Sequence, residues 1–248
     1  MLAKVFAVTV RYRRPILAIA LVLAVVLAVG RRLSDWLDLI LLNATFLAGV
    51  LAFSLAVLAY RRLRPAALLV KPEVRAFATE PSASQIHLAV GFTFLASQFL
   101  GTGHLDGVGL FNVAPFLLLV VAGLHGAGGW RGVSVELRPD GVCQRDVTGS
   151  LMVPWEALAP GRPSRPAVNA ATLALTYARP DLVRRRGILP LGRRLRVDNV
   201  HPWFIADTIR HYVDHPQHRA TIGEPAEYQR LLHALTSPPA GPDHAHAS

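Results

Sequence analysis

Cysteine is nearly absent from this chain: Cys143 stands alone. No internal disulfide can form, which fits a reducing compartment for the half that holds it. Charge is scarce, at 17% of 248 residues, where soluble domains carry roughly 25%. Lysine is almost missing, with only Lys4 and Lys71 beside 24 arginines. No phosphate-cradling glycine loop of the P-loop type, no Gly-x-Ser-x-Gly elbow and no His-Glu-x-x-His occurs. That removes the enzyme classes those motifs serve and leaves no catalytic residue to nominate and no cofactor to expect. No basic stripe is interleaved with aromatics, so the net charge of +10 does not point to nucleic acid.

Apolar residues are plentiful instead, at 52%. Four long apolar stretches fill the first half, near residues 12–30, 36–60, 82–100 and 108–128. A membrane span needs about 20 such residues. Basic residues crowd only some of the gaps. Lys4, Arg11, Arg13 and Arg14 precede the first stretch, and Arg61, Arg62, Arg64, Lys71 and Arg75 follow the second. None lies between the third and fourth. Cytoplasmic loops carry the Lys/Arg excess, so the pattern predicts a multi-pass plasma-membrane protein with its amino terminus and carboxy-terminal domain inside. Arg31 and Arg32 oppose this arrangement, but Asp35 and Asp38 lie beside them. Trp36 and Tyr60 are placed as interfacial anchors of the second span. A charged start, an apolar core at 16–29 and Ala28-Val-Gly30 also fit a cleaved signal peptide; the later topology is the same on either reading.

Residues 1–130 hold 11 basic and 5 acidic residues, and residues 131–248 hold 15 and 11, spread throughout. This reads as a membrane domain at 1–130 followed by a soluble domain at 131–220, then a short helix and a tail at 221–248. Basic residues beside spans are accounted for by orientation and by anionic head groups.

Polar residues within spans are functional candidates. Ser84, His87, Gly91 and Gln98 recur at helical spacing in the third span, and the fourth carries Asn112 and His125. Folding the sequence about residue 105 sets His87 level with His125 and Gln98 level with Asn112. That arrangement fits a proton or metal site, or polar contacts between packed helices worth roughly 0.6–2 kcal/mol each. The absence of a carboxylate beside either histidine favours the second.

After Trp130 the pattern changes to short strands. Segments 133–137 and 142–147 flank the turn Pro139-Asp-Gly141, and 151–155, 172–177, 183–189 and 195–200 follow. Such a succession predicts a curved antiparallel sheet or partial barrel. His201-Pro202 opens a helix with an apolar stripe of Ile205, Ile209 and Val213, limited by Pro216. A weaker helix is expected over 225–235. Trp155 reads as a core residue.

The run Leu137-Arg-Pro-Asp-Gly-Val142, then Val153-Pro-Trp155-Glu156, further strands and one closing helix resembles the pleckstrin-homology-like (PH-like) domains of bacterial membrane proteins. Ile209-Arg-His-Tyr212 through His215-Pro-Gln-His-Arg219 is similar to the helix and exit of actinobacterial members. The arginine-over-lysine bias fits a high-GC bacterial genome. Leu158 stands where that family has isoleucine. The resemblance covers about residues 131–220. It implies an α+β fold, a partial barrel closed by a carboxy-terminal helix, and no transferable catalytic residues.

Two clusters remain. His211, His215 and His218 have helical spacing, but Pro216 separates the last from the helix and no carboxylate or cysteine completes a ligand set by spacing, so no metal is expected. Arg184, Arg185, Arg186, Arg193, Arg194 and Arg196 form the densest basic cluster of the second half. Pairing of 183–189 with 195–200 would gather them on one hairpin. The expected role is a membrane-anchored, non-enzymatic interaction or scaffold module that binds a protein partner or the anionic membrane surface, alone or as a homo-oligomer. The alternative is a small transporter or channel component using the polar face of the third and fourth spans.

Overall fold

The computed structural model describes residues 2–100, 110–147, 149–187 and 194–236. The chain divides into two compact units. One is helical and draws on residues 1–65, 80–134 and 145–148; the other is built on antiparallel sheet and draws on 66–79, 135–144 and residues from 149 onward.

The helical unit contains α1 (Leu2–Arg11), α2 (Arg13–Gly30), α3 (Asp35–Arg62), α4 (Ala83–Leu100) and α5 (Leu110–Arg131). The last four lie within a few residues of the expected stretches. α1 was not anticipated as a separate helix; it buries Phe6 against Ala59 and Ala83. Local chemistry sets the bounds of α3. The Ser34 side chain accepts a hydrogen bond from the Leu37 amide at 3.3 Å, Asp35 and Asp38 lie in the first turn, and Arg61 and Arg62 in the last. Each charge opposes the helix dipole at its own end.

Small residues make the helix contacts. α2 buries Ala20, Ala24 and Ala28, and α3 buries Thr45, Gly49, Ala52, Ala56 and Ala59. Large side chains point the other way: Ile19 is 64% exposed, Val22 62% and Leu47 68%. A water-soluble bundle would bury those chains and expose polar ones. α2 and α3 are the two described helices long and apolar enough to cross a membrane. α4 is the most enclosed helix and packs against α1, α2, α3 and α5. Gly49 and Gly91 permit its close approach to α3, with Phe53 lying over Gly91.

The sheet unit contains β1 (Leu69–Lys71), β2 (Ala76–Ala78), β3 (Ser134–Arg138), β4 (Gly141–Arg145), β5 (Gly149–Pro154), β6 (Thr172–Ala174), β7 (Arg184–Gly187) and β8 (Arg194–Arg196), followed by α6 (Pro202–Asp214) and α7 (Pro225–Thr236). The main sheet runs β1-β2-β3-β4-β5-β7, and β6 pairs with β8 separately. Two expectations are corrected. The segment between the second and third apolar stretches, expected from its basic residues only as an inner connection, contributes the hairpin β1–β2, joined to the sheet by Phe77 opposite Leu137. The strands are only three residues long, too short for alternation to show. Nor do the described parts of 183–189 and 195–200 pair with each other: β7 lies against β5, and β8 against β6. Gly149 opposite Gly187 allows the first of these contacts, since a Cβ at Gly149 would come within 2.3 Å of the Arg186 carbonyl.

The core of this unit gathers Phe77, Leu137, Val153, Trp155, Leu173, Leu195, Ile205, Ile209, Tyr212 and Leu231. Trp155 is buried as expected, and its indole N–H donates to the Arg138 carbonyl at 2.9 Å. α6 begins at Pro202 and presents Ile205, Ile209, Tyr212 and Val213 inward. Arg219 closes its other end, donating to the carbonyls of Tyr212 at 2.7 Å and Val213 at 3.0 Å, as a cation at a helix carboxy terminus should. α7 buries Leu231 in the same core.

One backbone contact ties the early hairpin to the late helices. Gly223, with φ +100°, lies against Arg75, itself at φ 48°; a Cβ there would meet the Arg75 Cα at 2.5 Å. Gly223→Ala is therefore expected to destabilise the sheet unit by about 1–3 kcal/mol. Gly123→Ala, where no atom lies within 4 Å of the new Cβ, should leave stability unchanged or raised. Denaturant unfolding of the two variants in detergent checks both.

Candidate functional site

In the helical unit a partly buried ion pair, with its arginine enclosed and its carboxylate half-exposed, joins three helices. Arg31, 5% exposed, donates from Nε to Asp38 Oδ1 at 2.6 Å and from Nη1 to the Gln98 carbonyl at 2.9 Å. It connects the end of α2 to the start of α3 and the end of α4. The arginine that opposed the charge pattern is thus neutralised by a carboxylate and a helix-terminal carbonyl.

Among the described residues, the polar candidates of α4 and α5 are not brought together in the expected pairs. Gln98 donates to the hydroxyl of Thr45 on α3, rather than reaching α5. The side chain of Asn112 lies outside the described residues. His87 is buried edge-on against Phe6, with ring centroids 5.7 Å apart. His125 stacks on Phe92 at 5.4 Å. Gly129 lies against Ile86. The α4–α5 register is therefore shifted from a fold about residue 105, and the two histidines meet different phenylalanines. His87 Nε2 has no hydrogen-bond partner among the described residues.

The basic cluster divides between two sheets. Arg184, Arg185 and Arg186 are exposed on β7, the last strand in the order of the main sheet. None of the three side chains has an ion-pair partner among the described residues. Arg193 lies outside the described residues. Arg194 and Arg196 are on β8, where Arg196 is paired with Asp198 at 3.1 Å. What remains is a basic sheet edge with its outer backbone groups unladdered among the described strands.

The second cluster contains the three histidines that the spacing singled out, together with a carboxylate, Glu227, that the spacing did not. α6 and the 3-10 turn Pro216–Thr221 bring His211 Nε2 within 3.2 Å of His218 Nδ1. The chain turns at Pro216 but returns His218 to the same face. His215 donates Nδ1–H to the His211 carbonyl at 2.9 Å and stacks on its ring at 4.6 Å. Behind the pair lies Glu227 of α7, only 3% exposed. It accepts from the Tyr212 hydroxyl at 2.8 Å and the Thr221 hydroxyl at 3.0 Å, and is paired with Arg230. A carboxylate one turn before buried Leu231, on the apolar face of an amphipathic helix, was the available sequence signal for Glu227. Burial and the neighbouring His215 and His218 push the His211 imidazole down to about 4. Burial, then Arg230, also lowers His218. Burial and the bond to Glu227 push the Tyr212 phenol up, so it stays a donor.

No protein-family model matches the chain, and comparison with curated proteins and with solved structures returns no match.

The sign of the pH effect follows from the His211 shift. Between its ordinary 6.5 and about 4, the unfolded chain binds a proton that the folded one does not. Stability contributed by neutral His211 is full above 6.5 and is lost as pH falls toward 4. His211→Gln should flatten the unfolding midpoint across that window in metal-free protein. An unaltered slope would contradict the assignment.

Proposed function

We propose that this chain is a multi-pass membrane protein, non-enzymatic, whose PH-like sheet unit captures an acidic partner segment along β7. The observation that carries the reading is the basic edge: three exposed arginines, without carboxylate partners among the described residues, on one of the two edge strands of the main sheet. An edge strand accepts an added strand through its free backbone groups. Arginines there repel basic strands and discourage self-pairing, so they select for acidic sequence. The anionic membrane surface offers the same charge without strand geometry, and is the second source of ligand to be distinguished.

The bilayer part of the proposal rests on α2 and α3, which are long and apolar enough to cross, and on their outward-facing large side chains. Trp36 and Tyr60 sit near opposite ends of α3, both exposed, about 36 Å apart along the helix at about 1.5 Å per residue. That separation suits aromatic anchors at two interfaces. α4 and α5 complete a four-span arrangement with the amino terminus and the sheet unit cytoplasmic. A transport role through α4 and α5 has in its favour His87 Nε2, which has no hydrogen-bond partner among the described residues. Against it stand the Phe6 ring closing over His87 and the commitment of Gln98 to Thr45.

The test uses the full chain in neutral-lipid nanodiscs, a fluorescent poly-glutamate strand as one probe and phosphatidylglycerol vesicles as the other. Reversing Arg184, Arg185 and Arg186 to glutamate should weaken peptide binding roughly tenfold or more. Reversing Arg162, Arg179 and Arg194, scattered on the same unit, should change it little. Equal losses in both triple variants would overturn the edge assignment. Binding confined to the vesicles would replace a protein partner by the lipid surface.

A further inference from the structure

The junction of α6, the 3-10 turn and α7 has the geometry of a metal site. We propose that His211, His218 and Glu227 bind a divalent transition-metal ion of the Zn2+ class, leaving one coordination position open to water or an external ligand.

The distances come first. Ligand atoms of all three residues lie within 4.8 Å of one another. Two imidazole nitrogens on a tetrahedral Zn2+, each at about 2.0–2.1 Å, stand about 3.3 Å apart. His211 Nε2 and His218 Nδ1 are separated by 3.2 Å. Two imidazoles and a carboxylate form a borderline donor set that suits Zn2+ and also accepts neighbouring divalent ions such as Co2+ and Ni2+.

The supporting residues are already in place. Glu227 uses its oxygens to accept from Tyr212, Thr221 and Arg230. A carboxylate has about four lone-pair sites, so one is left for a metal while the other three fix its orientation. Arg230, 47% exposed, is the cation beside this carboxylate in the metal-free form. Metal binding draws on neutral His211 Nε2 and His218 Nδ1, which places their protons on the opposite ring nitrogens. His215 stacks on both rings, 4.6 Å from His211 and 5.4 Å from His218, and limits their rotation.

Three ligands from three separate elements also give the ion a physical role. It clips the exit of α6 to α7, the same connection that Gly223 holds against Arg75. Binding to the folded chain alone stabilises that connection by mass action.

The full chain in detergent, stripped with chelator, is dialysed against Zn2+ and its metal content measured; Co2+ is used in parallel for its visible absorption. The expected result is one ion per chain, a four-coordinate Co2+ spectrum, and a rise in unfolding temperature on adding Zn2+. His211→Ala and His218→Ala should each weaken binding by at least about 10–100-fold. A His244→Ala/His246→Ala variant should bind as the parent does, which separates this site from tail histidines. Because Glu227→Gln risks the fold, His218→Ala is the decisive variant, with circular dichroism in chelator confirming that it remains folded. Undiminished binding in folded His218→Ala, or no binding by the parent at micromolar Zn2+, would overturn the proposal.

Discussion

The helical unit depends on one constraint: its helices meet through their smallest residues. Ala20, Ala24 and Ala28 on α2, and Gly49, Ala52, Ala56 and Ala59 on α3, bring backbones close enough for dispersion contacts to accumulate. The valines, leucines and isoleucines are thereby turned outward. Such a surface is costly in water and costless in hydrocarbon. The proposed bilayer setting follows from this inversion more than from helix length. With the exterior apolar, the few polar groups must satisfy one another. Arg31 does so with Asp38 and the Gln98 carbonyl, and Gln98 with Thr45.

The sheet unit obeys ordinary aqueous logic. Trp155 and Tyr212 meet at 5.8 Å over a core of aliphatic side chains, with polar hydrogen bonds at its margins. Glu136 shows how such a margin is held. Burial would raise its carboxyl, but hydrogen bonds from Arg138 and Lys71 outweigh that and hold it below the ordinary carboxylate range. Glu227 plays the corresponding part at the opposite end of the sequence, satisfied by Tyr212, Thr221 and Arg230. The two functional proposals occupy different parts of this unit. The β7 arginines are exposed and have no ion-pair partner among the described residues, whereas the His211–His218–Glu227 junction is half-buried and organised by hydrogen bonds.

What was legible in the sequence was what repeats. Long apolar runs placed α2 to α5 closely, and Pro202 with an apolar stripe placed α6. The turn Pro139-Asp-Gly141 separated β3 from β4. What was not legible depends on contacts between distant segments. β1 and β2 are too short to show a period, and their lysine and arginine read equally well as a topology signal. The pairing of β7 with β5 needed knowledge that Gly149 and Gly187 face each other. The α4–α5 register could not be taken from the loop midpoint, because helix packing and not loop symmetry decides it. Glu227 was hidden by its neighbours: in a polar stretch one more glutamate looks solvated until Leu231 fixes which face is buried.

The proposed topology sets the α2–α3 connection outside the membrane and the β7 edge inside, and this is the part of the proposal open to the most direct test. Leu33, 75% exposed in that connection, and Arg184 on β7 can each be replaced by cysteine, with the buried native Cys143 replaced by serine in both variants. A membrane-impermeant maleimide is applied to sealed cells before and after permeabilisation. The account predicts that the cysteine at 33 is labelled at once and the cysteine at 184 only after permeabilisation. Labelling of both positions in sealed cells would contradict it.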